Sequence, residues 1–294
     1  MSYLLFVSLV WAFSFGIIKD TLAGIDPNFI AFARLLIALL AFLPFLRLKG
    51  LPGKLALRLG LTGMLQYGLM YISYQYAFGY LKAYEVALFT ILTPIYIALI
   101  NNFMRRHFYW LPVLTALLAV VGAAVVEQAS LSQNGVILGF LIVQVSNICF
   151  AFGQVYYKEL TSQHPEIKDY QVFGLLYLGG VVLTALSTTI FTNWQTVTFN
   201  TTQLLALLYL GLIASGVCFF LWNFAARKVN IGALAIFNNL KIPLAIAVSL
   251  IFFQEKANLP SLMIGGLIML AALLINELGV SRFSLLSPLK VKIP

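Results

Sequence analysis

The chain has 294 residues, 62% of them hydrophobic and 9% charged, with a formal net charge of +9. A soluble domain carries about a quarter charged residues, so this composition excludes one and indicates a polytopic helical membrane protein. The basic residues sit in short connections between apolar runs rather than on one face. That removes nucleic acid as a partner and makes the charge a matter of topology.

Ten apolar runs follow one another, each long enough or nearly long enough to cross a hydrocarbon core about 30 Å thick. The first, Tyr3–Ile18, starts without a basic leader or a small-residue cleavage site and reads as a spanning helix extended towards Lys19. It offers Trp11 and Ser14 to an interior. The second, Asn28–Leu46, holds Arg34 one and a half to two turns inside its end. A cation there either snorkels to headgroups, pairs with Glu85, or holds a carboxylate-bearing solute in its planar fork. The third, Leu57–Leu81, carries Tyr67, Tyr71 and Tyr74 on one helical face beside Gln66 and Gln75. Tyr71 and Tyr74 lie too deep for an interfacial belt and are expected to line a cavity.

The fourth run, Tyr84–Phe103, opens on Glu85, which suits either the positive end of the helix dipole or an Arg34–Glu85 gate. Pro94 is expected to break this helix. The fifth, Trp110–Val126, is thinned by Ala116, Ala119, Gly122 and Ala123. The sixth, Gly135–Tyr157, begins with the small-residue face of Gly135 and Gly139, a helix contact, and then supplies Gln144, Asn147, Gln154 and Tyr156. The seventh and eighth, Gln171–Phe191 and Gln203–Ala226, add Trp222. Cys149 and Cys218 fall inside runs and read as buried thiols. His107 and His164 lie in connections without metal-ligand spacing, so no metal or other cofactor is expected.

The ninth run, Ile231–Phe253, is the most informative. It places Asn238, Asn239 and Lys241 near mid-membrane, with Pro243 expected to open the helix beside them. An ammonium at that depth costs about 2.5–3.5 kcal/mol or more, so it faces a bundle interior or a solute pathway. The tenth, Pro260–Glu277, precedes a basic tail at 280–294 that reads as a cytoplasmic surface segment.

Lys and Arg accumulate on one side: Arg47, Lys49, Lys54, Arg58, Arg105, Arg106, Lys158, Lys168, Arg227, Lys228, Arg282, Lys290 and Lys292. Only Lys19, Lys82 and Lys256 fall on the other, so both termini are expected in the cytoplasm. The chain also repeats itself. Tyr74-Gln75-Tyr76-Ala77 with Ala87-Leu88-Phe89 returns as Trp222-Asn223-Phe224-Ala225 with Ala235-Ile236-Phe237, at one constant offset. Phe13-Ser14-Phe15-Gly16 returns as Phe150-Ala151-Phe152-Gly153. An odd number of spans per copy inverts the second copy. The expected architecture is therefore all-α, ten transmembrane helices in two inverted five-helix repeats, 1–130 and 131–279, with a site at mid-depth between them.

The ten spans, Arg34-Leu35-Leu36-Ile37-Ala38, and Gln254-Glu255-Lys256 followed by Ile264-Gly265-Gly266 resemble the EamA-type family of drug/metabolite transporters. One departure is Arg105-Arg106, where the second copy has Glu255-Lys256. The resemblance implies a bacterial inner-membrane secondary transporter of small metabolites, with export of amino acids or related compounds, a central cavity, and the fifth and tenth helices peripheral. The expected substrate set is Lys241, Asn238, Asn239, Tyr71, Tyr74, Trp11, Gln154, Asn147 and Trp222. An aromatic pocket with one or two fixed cations suits an amphipathic anion or zwitterion better than a sugar-phosphate. An uncoupled channel has the same composition. An intramembrane enzyme would need a Ser–His or Cys–His pair, an acid pair or metal ligands at depth, and none presents itself. The partners expected are a small-molecule substrate, the lipid bilayer and a homodimer.

Overall fold

The computed structural model describes residues 2–104, positions 111, 114, 115, 117, 118, 121, 122 and 125, and residues 135–228 and 231–286. Among them every regular element is helical. We number the long helices α1 (Ser2–Thr21), α2 (Pro27–Phe45), α3 (53–77), α4 (Ala83–Met104), α5 (Val136–Ser162), α6 (Asp169–Phe191), α7 (Thr201–Lys228), α8 (Ile231–Ile251) and α9 (Leu259–Leu286). The fifth apolar run and the tail from 287 onwards lie largely outside the described residues. Six helices, α1, α2 and α4 to α7, are by length and composition able to cross a membrane. Exposed apolar residues recur at helical spacing, as Leu57, Leu61 and Leu65 on α3 and Leu178, Val182, Leu186 and Ile190 on α6. Such stripes face lipid, as expected where the solvent is hydrocarbon.

Loop contacts fix the direction of each helix. The ends near Arg47 and Arg227 share one side: Arg47 N–H donates to Gln171 O, and Arg227 pairs with Asp169 at 2.6 Å. At the opposite end Phe29 packs on Trp194 and Phe199, and Lys19 Nζ donates to Phe78 O at 2.6 Å. Among described residues Lys19, Lys82 and Lys256 belong to this second end, and the other basic residues, apart from the buried Arg34 and Lys241, cluster at the first. Helix α1 runs from the basic end to the opposite end, whereas α5 runs the other way.

The helices meet chiefly across the two groups α1–α4 and α5–α8: α1 on α8 and α7, α2 on α6 and α7, α3 on α5 and α6, α4 on α5 and α8. Absent side chains set the closest of these crossings. A Cβ on Gly63 of α3 would lie 1.8 Å from Leu176 O of α6, and one on Gly179 of α6 would lie 1.9 Å from Gly60 O. Glycines let the two backbones touch, which is where dispersion does the work in lipid.

Several helices depart from regular winding. Segments Ile17–Thr21 in α1, Met64–Leu69 in α3 and Leu210–Val217 in α7 are π-helical. A π turn offsets the carbonyls from their usual donors and often marks a functional site. In α4 the ladder changes to a 3₁₀ turn at Thr90–Leu92, and Pro94 sits in the first turn of the α-helix that resumes at Thr93. The expected break at Pro94 therefore falls one turn earlier, and Pro94 occupies a position where its missing N–H is not needed. The expected break at Pro243 does not form: α8 runs unbroken from Ile231 to Ile251 with Pro243 inside it. Membrane helices tolerate an internal proline where neighbouring groups can take up the freed carbonyl.

Candidate functional site

A cavity lies between the two groups of helices near mid-depth. Its wall is formed by Trp11, Ser14 and Phe15 of α1, Arg34 of α2, Met70, Tyr71 and Tyr74 of α3 and Thr90 and Thr93 of α4. Ser146, Asn147 and Phe150 of α5, Phe219 of α7 and Lys241 of α8 complete it. Of the expected substrate set, Lys241, Tyr71, Tyr74, Trp11 and Asn147 are brought together here.

The π turn of α7 anchors two of these side chains. Trp11 Nε1 donates to Ala214 O at 2.9 Å, a carbonyl of that turn. Ser215 Oγ donates to Leu210 O five residues back at 2.7 Å, so its lone pairs are left to accept. Arg34 Nε donates to Ser215 Oγ at 3.2 Å and Nη2 to Tyr71 Oη at 2.8 Å. Tyr71 Oη in turn lies 2.7 Å from Ser215 Oγ, and the guanidinium carbon stands 4.4 Å from the Tyr71 ring centre. A buried fork is thus held flat on an aromatic face by two hydroxyls.

On the other side, the 3₁₀ turn of α4 is patched from α5. Asn147 Nδ2 donates to Phe89 O at 3.0 Å, and Thr93 Oγ1 closes on Thr90 O at 2.7 Å. Lys241 is buried, with its ammonium 5.1 Å from the Trp11 ring centre and 5.8 Å from that of Phe150. Aromatic faces attract a cation through their quadrupole, so the wall itself offsets part of the cost of burying this one.

Other expectations need correction. Gln154 and Trp222 lie one layer behind the cavity: Trp222 is fully buried, donates Nε1 to Gln154 Oε1 at 3.0 Å, and stacks 5.1 Å from Trp11. Neither Gln154 nor Trp222 is among the residues that line the void. Beside them Gln66 Nε2 donates to Asn223 Oδ1, and Asn223 Nδ2 to Tyr67 Oη, tying α3 to α7 on the basic side of the cavity. The expected Arg34–Glu85 gate is not formed. Arg34 is committed to Tyr71 and Ser215, while Glu85 accepts from Lys82 N–H at 2.8 Å and from Tyr84 Oη. The bland alternative, a helix-start carboxylate, describes Glu85. The side chains of Asn238 and Asn239 lie outside the described residues.

Phe219, Ser146 and Met70 were not singled out from sequence. Phe219 was within reach, because the offset that carries Tyr74 onto Trp222 carries Tyr71 onto Phe219 and Thr93 onto Lys241. Cys149 and Cys218 are buried free thiols. Among the described residues no cluster of His, Cys, Asp and Glu is placed to hold a metal ion.

The model of the EamA-like transporter family matches residues 1–127 and again 137–277. A probable biotin transporter of Pseudomonas aeruginosa is 37% identical over 281 residues, 95% of this chain and 98% of that protein. Biotin transporters of Salmonella typhimurium and Escherichia coli are each 36% identical over 283 residues, 96% of this chain and 94% of theirs. A crystal structure of another protein, 16% identical, superposes with a TM-score of 0.67 over 96% of this chain and 98% of that one, which speaks to the fold alone. The family is that of metabolite carriers rather than enzymes, and its match covers both halves. The chain belongs to the EamA-like transporter family, and it is a multi-pass membrane transporter of a small metabolite.

Proposed function

We propose that the chain carries biotin, or a closely related vitamin carboxylate, by alternating access through the aromatic cavity. The observation that carries this reading is the charge of the cavity wall, which holds Arg34 and Lys241 and, among the described residues, no acid. A carboxylate finds a counter-charge there, whereas the ammonium of an amino acid finds none, and an uncompensated charge at this depth is costly. This favours a plain anion over the amino acid expected from sequence. Biotin combines a carboxylate, an apolar chain and a compact ring with urea hydrogen-bonding groups. The Trp11, Phe150 and Phe219 faces suit the ring and chain, and the relatives bear that name.

The proposed machinery is two inverted repeats, 1–130 and 131–279. Four observations support it. Helices α1 and α5 run in opposite directions. Exchanging α1–α4 with α5–α8 turns the list of helix contacts into itself. The π turns of α3 and α7 lie at the offset that relates Tyr74 to Trp222, and the family model matches each half. Inverted repeats rock about a central site, exposing it to each side in turn. The basic end is proposed to face the cytoplasm of a bacterial inner membrane.

Reconstituted protein with radiolabelled biotin tests the reading. Saturable flux with counterflow is expected, and the side from which it starts reports whether export occurs. Flux that neither saturates nor shows counterflow would favour a channel. Flux of amino acids with none of biotin would overturn the substrate.

A further inference from the structure

We infer that Arg34 is a specificity-determining residue which takes one oxygen of the substrate carboxylate directly, through Nη1. This deepens the proposed function and rests on its carboxylate substrate. Arg34 is 3% exposed and lines the cavity. Two corners of its fork are spent on the protein, Nε on Ser215 and Nη2 on Tyr71. The third, Nη1, is buried and has no hydrogen-bond partner.

A guanidinium keeps its charge at any pH met in a cell, and leaving one of its N–H groups buried without an acceptor is expensive. The fold holds it in that condition with care. Ser215 can accept from Arg34 only because its own proton goes to Leu210 O across the π turn. Tyr71 Oη can accept from Nη2 while giving its proton to Ser215 Oγ. Both hydroxyl protons of the trio are thus assigned, and the remaining need is an acceptor for Nη1 of a side chain that lines the cavity. A carboxylate oxygen supplies it, as a charge-assisted bond of the strong kind. The fork is fixed before substrate arrives, so little rotamer freedom is lost on binding. Lys241, carried on a flexible stem, can add charge to the cavity without defining where the carboxylate sits.

The test is a cycle between side chain and ligand, read by calorimetry on purified full-length protein. Biotin is compared with its neutral primary amide, and pentanoate with pentanamide, on wild type and on Arg34→Gln. The preference of wild type for acid over amide should shrink at least about tenfold in Arg34→Gln, with amide binding little changed. Arg34→Lys should recover only part of it. Equal weakening of acid and amide in a folded Arg34→Gln overturns the inference. Should Arg34→Gln fail to fold, Ser215→Ala replaces it. That variant keeps the guanidinium but frees Nε to swing, and it should lose acid binding selectively; equal loss for both ligands overturns the inference there too. If wild type binds neither member of the biotin pair, the biotin reading fails, and Arg34 is judged on the pentanoate pair at millimolar concentration.

Discussion

Glu255 closes on Ala83: its Oε1 accepts the Ala83 N–H at 2.9 Å while its Oε2 accepts that of Tyr84 at 3.1 Å. These are orphan donors at the start of α4, and the acid that satisfies them comes from the connection between α8 and α9. Lys82 answers across the same seam, Nζ donating to Lys256 O at 2.7 Å. Gln254 takes the left-handed conformation at φ 52° just before Glu255, turning the chain back from α8. The seam lies between residues of the two proposed repeats, on the side away from the basic end. A carrier must part its halves at each end in turn, so this clasp is a better candidate for the outer gate than the Arg34–Glu85 pair read from sequence.

Glu255→Gln keeps the size and removes the charge, and one amide oxygen cannot serve both N–H groups as well. We expect a modest loss of stability, about 1–2 kcal/mol, because the clasp is only part-buried. A cysteine placed at Thr90, inside the cavity, should then react faster with a polar maleimide added from the Lys82 side. Unchanged labelling with an unchanged melting temperature would remove the clasp from the gating cycle.

Much of the fold was legible because hydrocarbon leaves so few choices. Apolar runs of spanning length must be helices, and the Lys and Arg bias sorted their ends as the contacts do. The cavity was legible where a residue was costly at its depth: Lys241 and the deep tyrosines announced themselves. Trp222 and Gln154 misled because an indole and an amide look alike from sequence whether they touch a void or brace the layer behind it. The fate of Arg34 was hidden for a different reason. Its partners Tyr71 and Ser215 lie on other helices, and Ser215 is available only through a π turn that leaves no mark in periodicity. Pro243 shows the reverse failure, a strong local signal absorbed by tertiary packing.

The α3–α6 crossing gives a prediction about folding alone. Gly63→Val places carbon within the radius of Leu176 O, which is backbone and cannot rotate away. The helices must separate, and we expect loss of more than about 3 kcal/mol or failure to accumulate in the membrane. Gly60→Ala, on the same helix with open space where its Cβ would go, should be tolerated within about 1 kcal/mol. Equal behaviour of the two in a thermal melt would show that the crossing is not as close as described.

Topology is open to direct labelling. Thr196 is in the connection between α6 and α7 at the opposite end, and Gly50 is in that between α2 and α3 at the basic end. Thr196→Cys should react with an impermeant maleimide added to intact cells. Gly50→Cys should react only after permeabilisation. The native Cys149 and Cys218 are buried and give a low background. The opposite pattern would invert the protein in the membrane and move the Glu255 clasp to the cytoplasmic face.

Lys241 offers the sharpest separation of function from stability. Its ammonium is buried among Trp11 and Phe150, and a cation–π contact returns about 0.5–2 kcal/mol. Keeping a charge at mid-depth is costly on most scales. Lys241→Met keeps most of the stem that packs on the rings and discards the charge. Burying an ion carries a desolvation penalty that an apolar side chain of similar volume does not. The expected outcome is therefore a melting temperature equal to or above that of wild type, together with biotin binding weakened at least about tenfold. Lys241→Arg should bind better than Lys241→Met yet melt lower, because a wider cation is forced between the same rings. A Lys241→Met variant that melts as wild type and transports biotin at the wild-type rate would show that the cation plays no part in holding the substrate. A variant that melts far lower would instead make Lys241 a structural group, held for the aromatic cage rather than for the ligand.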